Sequence, residues 1–130
     1  CFMDEAYSDH FAAAEEAMNN SYSPYSEIRV GAAIMTKDGH VFTGCNIENA
    51  SYGLTMCAER VALFKAVSEG FREFKALAIV SDAVTPTPCG ACRQVLSEFS
   101  PDMDVIYGGR SHKLKELLPD AFRVGDQLDS

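Results

Sequence analysis

The chain has 130 residues, with 11 basic and 19 acidic side chains and a formal charge of −8. That acidity disfavours any partner built on a phosphate backbone. With 47% apolar and 23% charged residues, the balance is that of a globular protein able to bury about two-thirds of its unfolded surface. No apolar stretch reaches the roughly 18 residues of a membrane span. The first residues lack the basic-then-apolar pattern of an export signal. A single domain over 1–130 in the cytoplasm is therefore expected. Residues 1–3 and 124–130 are its loose ends, with Cys1 and Phe2 read as additions ahead of a native Met3.

Residues 4–20 are rich in Ala, Glu and Met, and Phe11 and Met18 fall on one face at helical spacing, so a first helix should end near Asn19-Asn20. Residues 21–27 form a loop. A strand over 29–36, an Asp38-Gly39 turn and a returning strand over 41–45 make a hairpin. Residues 46–56 are polar and irregular. A helix over 58–69 should bury Val61, Ala62, Leu63 and Phe64 and stop at Gly70. The nearly all-apolar run 76–81 suits a strand covered on both faces. Pro86 and Pro88 break the chain before a helix over 91–99. A strand over 103–107, a Gly108-Gly109 turn and a short helix over 114–118 complete the order α-β-β-α-β-α-β-α. This pattern implies a mixed sheet with helices on its faces, and a parallel, right-handed crossover from 76–81 to 103–107.

Five cysteines, two of them spaced Cys-x-x-Cys, point to metal or redox chemistry in a chain with no export signal. Cys57 opens the helix over 58–69, and Cys89 and Cys92 open the one over 91–99. Free N–H groups and the positive end of a helix favour thiolate, the form that binds metal. Cys89 and Cys92 can meet one ion from a single turn, with Gly90 easing the bend between them. Three sulfur ligands leave a zinc ion with an open position, the mark of a catalytic rather than a structural site. Glu59, two residues from Cys57, is the candidate proton carrier, and for that work its pKa must stand above that of a free glutamate. Three thiolates on Zn²⁺ leave a charge of −1, and Arg60 is the candidate to offset it by hydrogen bonding to ligand sulfur.

Plainer readings compete. The Cys-x-x-Cys pair could be a redox couple or half of a structural site. Cys45, His10, His40 or His112 could close the metal as a fourth ligand. Cys45 alone reads better as a small thiol at a strand end, and the three histidines as surface residues.

The motif Cys57-Ala58-Glu59-Arg60 followed by Pro88-Cys89-Gly90-Ala91-Cys92-Arg93-Gln94 is the zinc deaminase signature in its three-cysteine form. With Ser23-Pro24-Tyr25-Ser26, Val30-Gly31-Ala32-Ala33, the stretch from Cys45 to Tyr52 and Leu117-Leu118-Pro119, the chain resembles the homo-oligomeric cytidine deaminases of free-nucleoside salvage from about Tyr22 to Phe122. The resemblance implies a three-layer α/β/α cytidine deaminase-like fold with a mixed central sheet, one Zn²⁺ per chain, and a homotetramer with shared active sites. It implies hydrolysis of cytidine and 2′-deoxycytidine to uridine and 2′-deoxyuridine, in which Glu59 carries a proton from water to N3 of the cytosine ring and then to the departing amine. It implies that Asn46 and Glu48 hydrogen-bond the ribose 3′-hydroxyl, and an amide and a carboxylate two apart on an extended segment do share a face. Ala58 would offer backbone to the base, and Ala50, Tyr52 and Phe122 would reach into a neighbouring subunit's site. The bland alternatives are a polar loop making its own turns at 46–48 and plain packing of the tail at Phe122.

Two departures stand out. Ile28 occupies a position where many relatives carry an aromatic that packs on the base. Relatives also often have a further strand where this sequence has only 108–114, so that strand is either missing or reduced to a remnant around Lys113-Leu114. Competing functions are deamination of a related nucleoside such as blasticidin S, which Asn46-x-Glu48 argues against, polynucleotide editing, which the charge argues against, and a zinc-stabilised binding module without turnover.

Overall fold

The computed structural model describes residues 8–82, 88–108, 110–119 and 122. Its elements are α1 (Ser8–Met18), β1 (Val30–Thr36), β2 (Val41–Cys45), a 3-10 turn over Tyr52–Leu54, α2 (Ala58–Ser68), β3 (Phe74–Ser81), α3 (Gly90–Phe99), β4 (Asp104–Tyr107), β5 (Arg110–Lys113) and α4 (Leu114–Leu117). The five strands form one sheet in the order β2-β1-β3-β4-β5.

β1 runs antiparallel to both β2 and β3, whereas β3 and β4 are parallel, so the sheet is mixed. The hairpin and the parallel pairing of 103–107 with 76–81 fall where the sequence puts them. β5, antiparallel to β4 from Asp104↔Lys113 to Tyr107↔Arg110, is a full strand and not a remnant. Its sequence, Arg-Ser-His-Lys, has no apolar alternation because it is an outer strand with mostly exposed side chains. The break expected at Pro86 lies outside the described residues.

Two apolar layers cover the sheet. Successive residues of β3 point to opposite faces: Ala76 and Ala78 pack with Phe11 of α1, whereas Leu77 and Ile79 join Ala62, Leu63 and Ala66 of α2 and Leu96 of α3. The result is helix, sheet, helix, with Ala76 to Ile79 at most 3% exposed. α2 meets the sheet through Ala58, Ala62 and Ala66, one stripe at four-residue spacing. Phe64, expected inside, is on the other side of that helix and 43% exposed.

Two glycines let the helices come close. A Cβ on Gly31 of β1 would lie 2.0 Å from the Ala14 carbonyl oxygen of α1. A Cβ on Gly44 of β2 would lie 2.5 Å from the Ala58 oxygen and 2.6 Å from the Ala62 nitrogen of α2. No side chain of any kind fits at either position, and the second seats the first turn of α2 directly on the sheet.

Candidate metal centre and its surroundings

Cys57 is the N-cap of α2 and Cys89 the N-cap of α3, both with extended backbone, as the sequence leads one to expect. Cys92 is buried one turn into α3, and its backbone N–H points at Cys89 Sγ at 3.5 Å. Gly90 has ordinary backbone and open space where a Cβ would stand. The helical turn alone therefore brings Cys89 and Cys92 together, and the special bend assigned to Gly90 is not used.

The three sulfurs lie within 4.8 Å of one another. Cys57 Sγ is 3.8 Å from Cys89 Sγ, and Cys89 Sγ is 3.3 Å from Cys92 Sγ. Tetrahedral zinc with bonds of about 2.3 Å holds its sulfur ligands about 3.8 Å apart, so this donor set fits zinc. Among the described residues no other Cys, His, Asp or Glu joins the group, which disposes of a closed four-ligand site built from Cys45 or a histidine. Cys45 is half-buried at the end of β2, and burial raises its thiol pKa. His40 is exposed beside Asp38, as expected, but His10 is only half-exposed, and so is His112, stacked on Tyr107 at 4.3 Å.

The electrostatics favour anionic sulfur. The hydrogen bond with Cys92, helped by Arg60 and opposed by burial, brings the Cys57 thiol down to about 5. Cys92 is correspondingly pushed up by its bond to Cys57 and by burial, so without metal it is the proton donor of the pair. Arg60, from the first turn of α2, donates from Nη2 to Cys57 Sγ at 3.5 Å, and its Nε is buried without a hydrogen-bond partner. Glu59 is only 5% exposed, and burial, with the Cys57 charge adding to it, raises its pKa.

The segment after β2 runs beside the loop before β1. Ile47 bridges to Tyr22 on one side and to Met56 on the other. Asn46 and Glu48 flank it, and both are engaged with that loop. Asn46 Oδ1 accepts from Val30 N at 2.9 Å and from the Ser21 hydroxyl, and its Nδ2 donates to the Ile28 oxygen at 2.9 Å. Glu48 Oε1 accepts from Tyr25 N at 2.9 Å and Ser26 N at 3.1 Å, and Oε2 accepts from the Ser26 hydroxyl. The Ser26 bond and the two amides lower the Glu48 pKa. A cavity of about 360 Å³ opens here, lined by Tyr25, Ser26, Glu48, Tyr52 and Thr55.

Ile28 is half-buried, and Ala58, the first residue of α2, is fully buried. Ala50, Tyr52 and Phe122 are all exposed, Tyr52 at 75% and Phe122 at 60%. Tyr52 meets Tyr25 edge-on at 6.1 Å between ring centres.

Three residues quoted above only as parts of motifs have structural duties. Ser26 holds Glu48. Arg93 donates from Nε to the Pro88 oxygen and from Nη1 to the Leu117 oxygen, both at 2.9 Å, tying the approach to Cys89 to the end of α4. Gln94 grips both backbone groups of Phe122, at 2.9 and 3.2 Å. The side chains of Arg93 and Gln94 reach backbone 5 to 28 residues away and that of Ser26 a carboxylate 22 residues away, relations that leave no periodicity to read.

Comparison with known proteins agrees with this geometry. Residues 4–109 match the family profile described as the cytidine and deoxycytidylate deaminase zinc-binding region. The chain is 51% identical over 123 residues to a cytidine deaminase of Halalkalibacterium halodurans, covering 89% of this chain and 93% of that one. It superposes on the crystal structure of a cytidine deaminase from Burkholderia pseudomallei with a TM-score of 0.84 and 47% identity, covering 92% of this chain and 100% of the other. A blasticidin-S deaminase of Bacillus cereus is 37% identical over 103 residues, covering 69% of this chain and 74% of that one.

Proposed function

The chain belongs to the cytidine and deoxycytidylate deaminase zinc-binding family, and from that premise we propose that it is a cytidine deaminase, converting cytidine and 2′-deoxycytidine with water to uridine or 2′-deoxyuridine and ammonia. The observation that carries this reading is the three-sulfur cluster at two helix starts, with a buried glutamate two residues from its first member and outside the ligand set.

Cys57, Cys89 and Cys92 hold the zinc. Bound there, it supplies a Lewis acid that makes water nucleophilic near neutral pH. Glu59 takes a proton from the attacking water and hands it to N3 of the cytosine ring. The carboxylate then takes the second hydrogen of the same water, now on the oxygen bonded to C4, and delivers it to the amine as the C4–N bond breaks, leaving the C4 carbonyl and ammonia. Burial raises the Glu59 pKa above that of a free glutamate, so the carboxyl holds a proton more readily than a free one and can act as base and acid in turn. Arg60 offsets the negative charge of the sulfur cluster through its bond to Cys57.

Asn46 and Glu48 take the ribose 3′-hydroxyl. An amide nitrogen carries two hydrogens, and Asn46 spends one on Ile28. A carboxylate offers about four acceptor sites, and Glu48 spends three on the loop. One donor and one acceptor thus remain for a hydroxyl. Ala58 offers backbone to the base, and Ile28 packs against it. Exposed Ala50, Tyr52 and Phe122 complete the sites of neighbouring subunits in a homotetramer. The working role is pyrimidine salvage in the cytoplasm, without nucleic-acid or membrane partners. In support, the charge is −8, and no helix among the described residues is long and apolar enough to cross a membrane.

The test is the ultraviolet change on mixing purified protein with cytidine, 2′-deoxycytidine or blasticidin S, beside a zinc determination and a sedimentation measurement. Turnover of the two cytidines well above that of the antibiotic, with one zinc per chain and a tetramer, is expected. A zinc-loaded protein inert toward both cytidines would overturn the assignment.

A further inference from the structure

Ser26 occupies a junction. Its hydroxyl donates to Glu48 Oε2, while the same oxygen accepts the Ile28 N–H at 3.1 Å. Its own N–H adds a bond to Glu48 Oε1 at 3.1 Å. Ile28 is thereby fixed at its nitrogen by Ser26 and at its oxygen by Asn46. Between the two, Glu27 has φ of 61°, a left-handed conformation that a non-glycine residue keeps only where its surroundings impose it. A serine binding the amide two residues on is a common local turn. Donation of the same hydroxyl to a carboxylate 22 residues away is not local, and both groups line the 360 Å³ cavity.

We propose that Ser26 is a positioning residue for substrate recognition, its one hydroxyl setting the Glu48 carboxylate and the Ile28 backbone in a single arrangement so that the sugar and the base of a pyrimidine nucleoside are recognised together. This rests on the reading above in which Glu48 receives the 3′-hydroxyl and Ile28 packs on the base. A hydroxyl has one hydrogen to donate, and here Glu48 takes it. Without it, Oε2 loses its restraint and the Ile28 amide loses its acceptor together. The cost falls on binding, because Ser26 touches none of the atoms that change in the reaction.

The experiment compares wild type, Ser26→Ala, Ser26→Cys and Ser26→Thr on cytidine and 3′-deoxycytidine, with zinc content and melting temperature recorded for each. Ser26→Ala and Ser26→Cys should raise KM for cytidine about tenfold, the worth of a hydrogen bond to a charged group, with kcat within about twofold. Ser26→Thr, which keeps the hydroxyl, should restore KM. On 3′-deoxycytidine the penalty of Ser26→Ala should be smaller than on cytidine, leaving only the part carried through Ile28, since the group Glu48 receives is gone. A penalty of equal size on both substrates, or an unchanged KM for cytidine, would overturn the role of Ser26. A wild type that does not distinguish the two substrates would instead overturn the Glu48 assignment, and the present proposal with it.

Discussion

Arg60 and Cys57 are joined by an N–H···S contact of 3.5 Å within the first turn of one helix. The sulfur of the N-cap residue of α2 is thus met by a cation from the same turn, and the pair is held by local geometry. Removing the guanidinium leaves the sulfur cluster its full negative charge. Arg60→Gln should cost about 10- to 100-fold in zinc affinity or turnover, read by competition with a metal-binding dye and by steady-state rates. Affinity and rate both equal to wild type would show that the contact has no such role.

Glu59 invites two measurements. Glu59→Gln should keep its zinc and lose about 10²- to 10⁴-fold in turnover, the usual worth of a positioned acid–base group.

The second concerns stability without metal. Burial raises the folded-state pKa of Glu59, so the native chain takes up this proton more readily than the unfolded one. The associated stability is present in full below the unfolded value of about 4.3 and is lost as pH rises through the folded value. In chelated protein, Glu59→Gln should therefore gain on wild type as pH rises from 4 to 7. Denaturant unfolding at several pH values checks this, and a gap that stays constant would contradict it.

Gly31 and Gly44 look alike in the sheet but differ in consequence. Alanine at either position meets backbone within 2.0 to 2.5 Å, and overpacking of this kind costs about 1–3 kcal/mol or more. Gly31→Ala displaces α1, which bears no part of the site. Gly44→Ala displaces the turn that carries Glu59, and misplacement by about 1 Å can cost 10²-fold in rate. Unfolding midpoints and rates measured together should show both variants destabilised and only Gly44→Ala slowed beyond its loss of folded protein.

Gln94 holds Phe122 by two backbone hydrogen bonds. Each contributes about 1 kcal/mol net. Gln94→Ala should therefore speed hydrogen exchange at the Phe122 amide by about tenfold or more while leaving zinc content unchanged. Unaltered exchange would mean that other contacts hold the segment.

The central layers are written plainly in the sequence. The hairpin has its Asp38-Gly39 turn, β3 is a run of buried residues, and both cysteine groups sit at helix starts because helix-forming stretches follow them. The three-sulfur cluster was legible for the same reason, since local structure and spacing together fix it. β5 was not, because an outer strand of Arg, Ser, His and Lys has no buried face to imprint a pattern. Nor was the engagement of Asn46 and Glu48 with residues 21–30. Extended backbone does present the two side chains alike, but their partners are backbone groups and serine hydroxyls 16 to 25 positions earlier. Phe64 misled for the opposite reason: an apolar residue on a helix is expected inside, but the stripe of small alanines had already claimed the sheet-facing side.

The first sulfur precedes the second by 32 positions, and β3, in the middle of the sheet, is made from chain between them. A nascent chain that has formed α2 and β3 carries only one of the three ligand sulfurs. Capture of the ion by all three sulfurs has to wait until α3 docks beside α2, so metal uptake reports that docking. A coloured substitute such as cobalt would then serve as a clock for the meeting of the two helix ends.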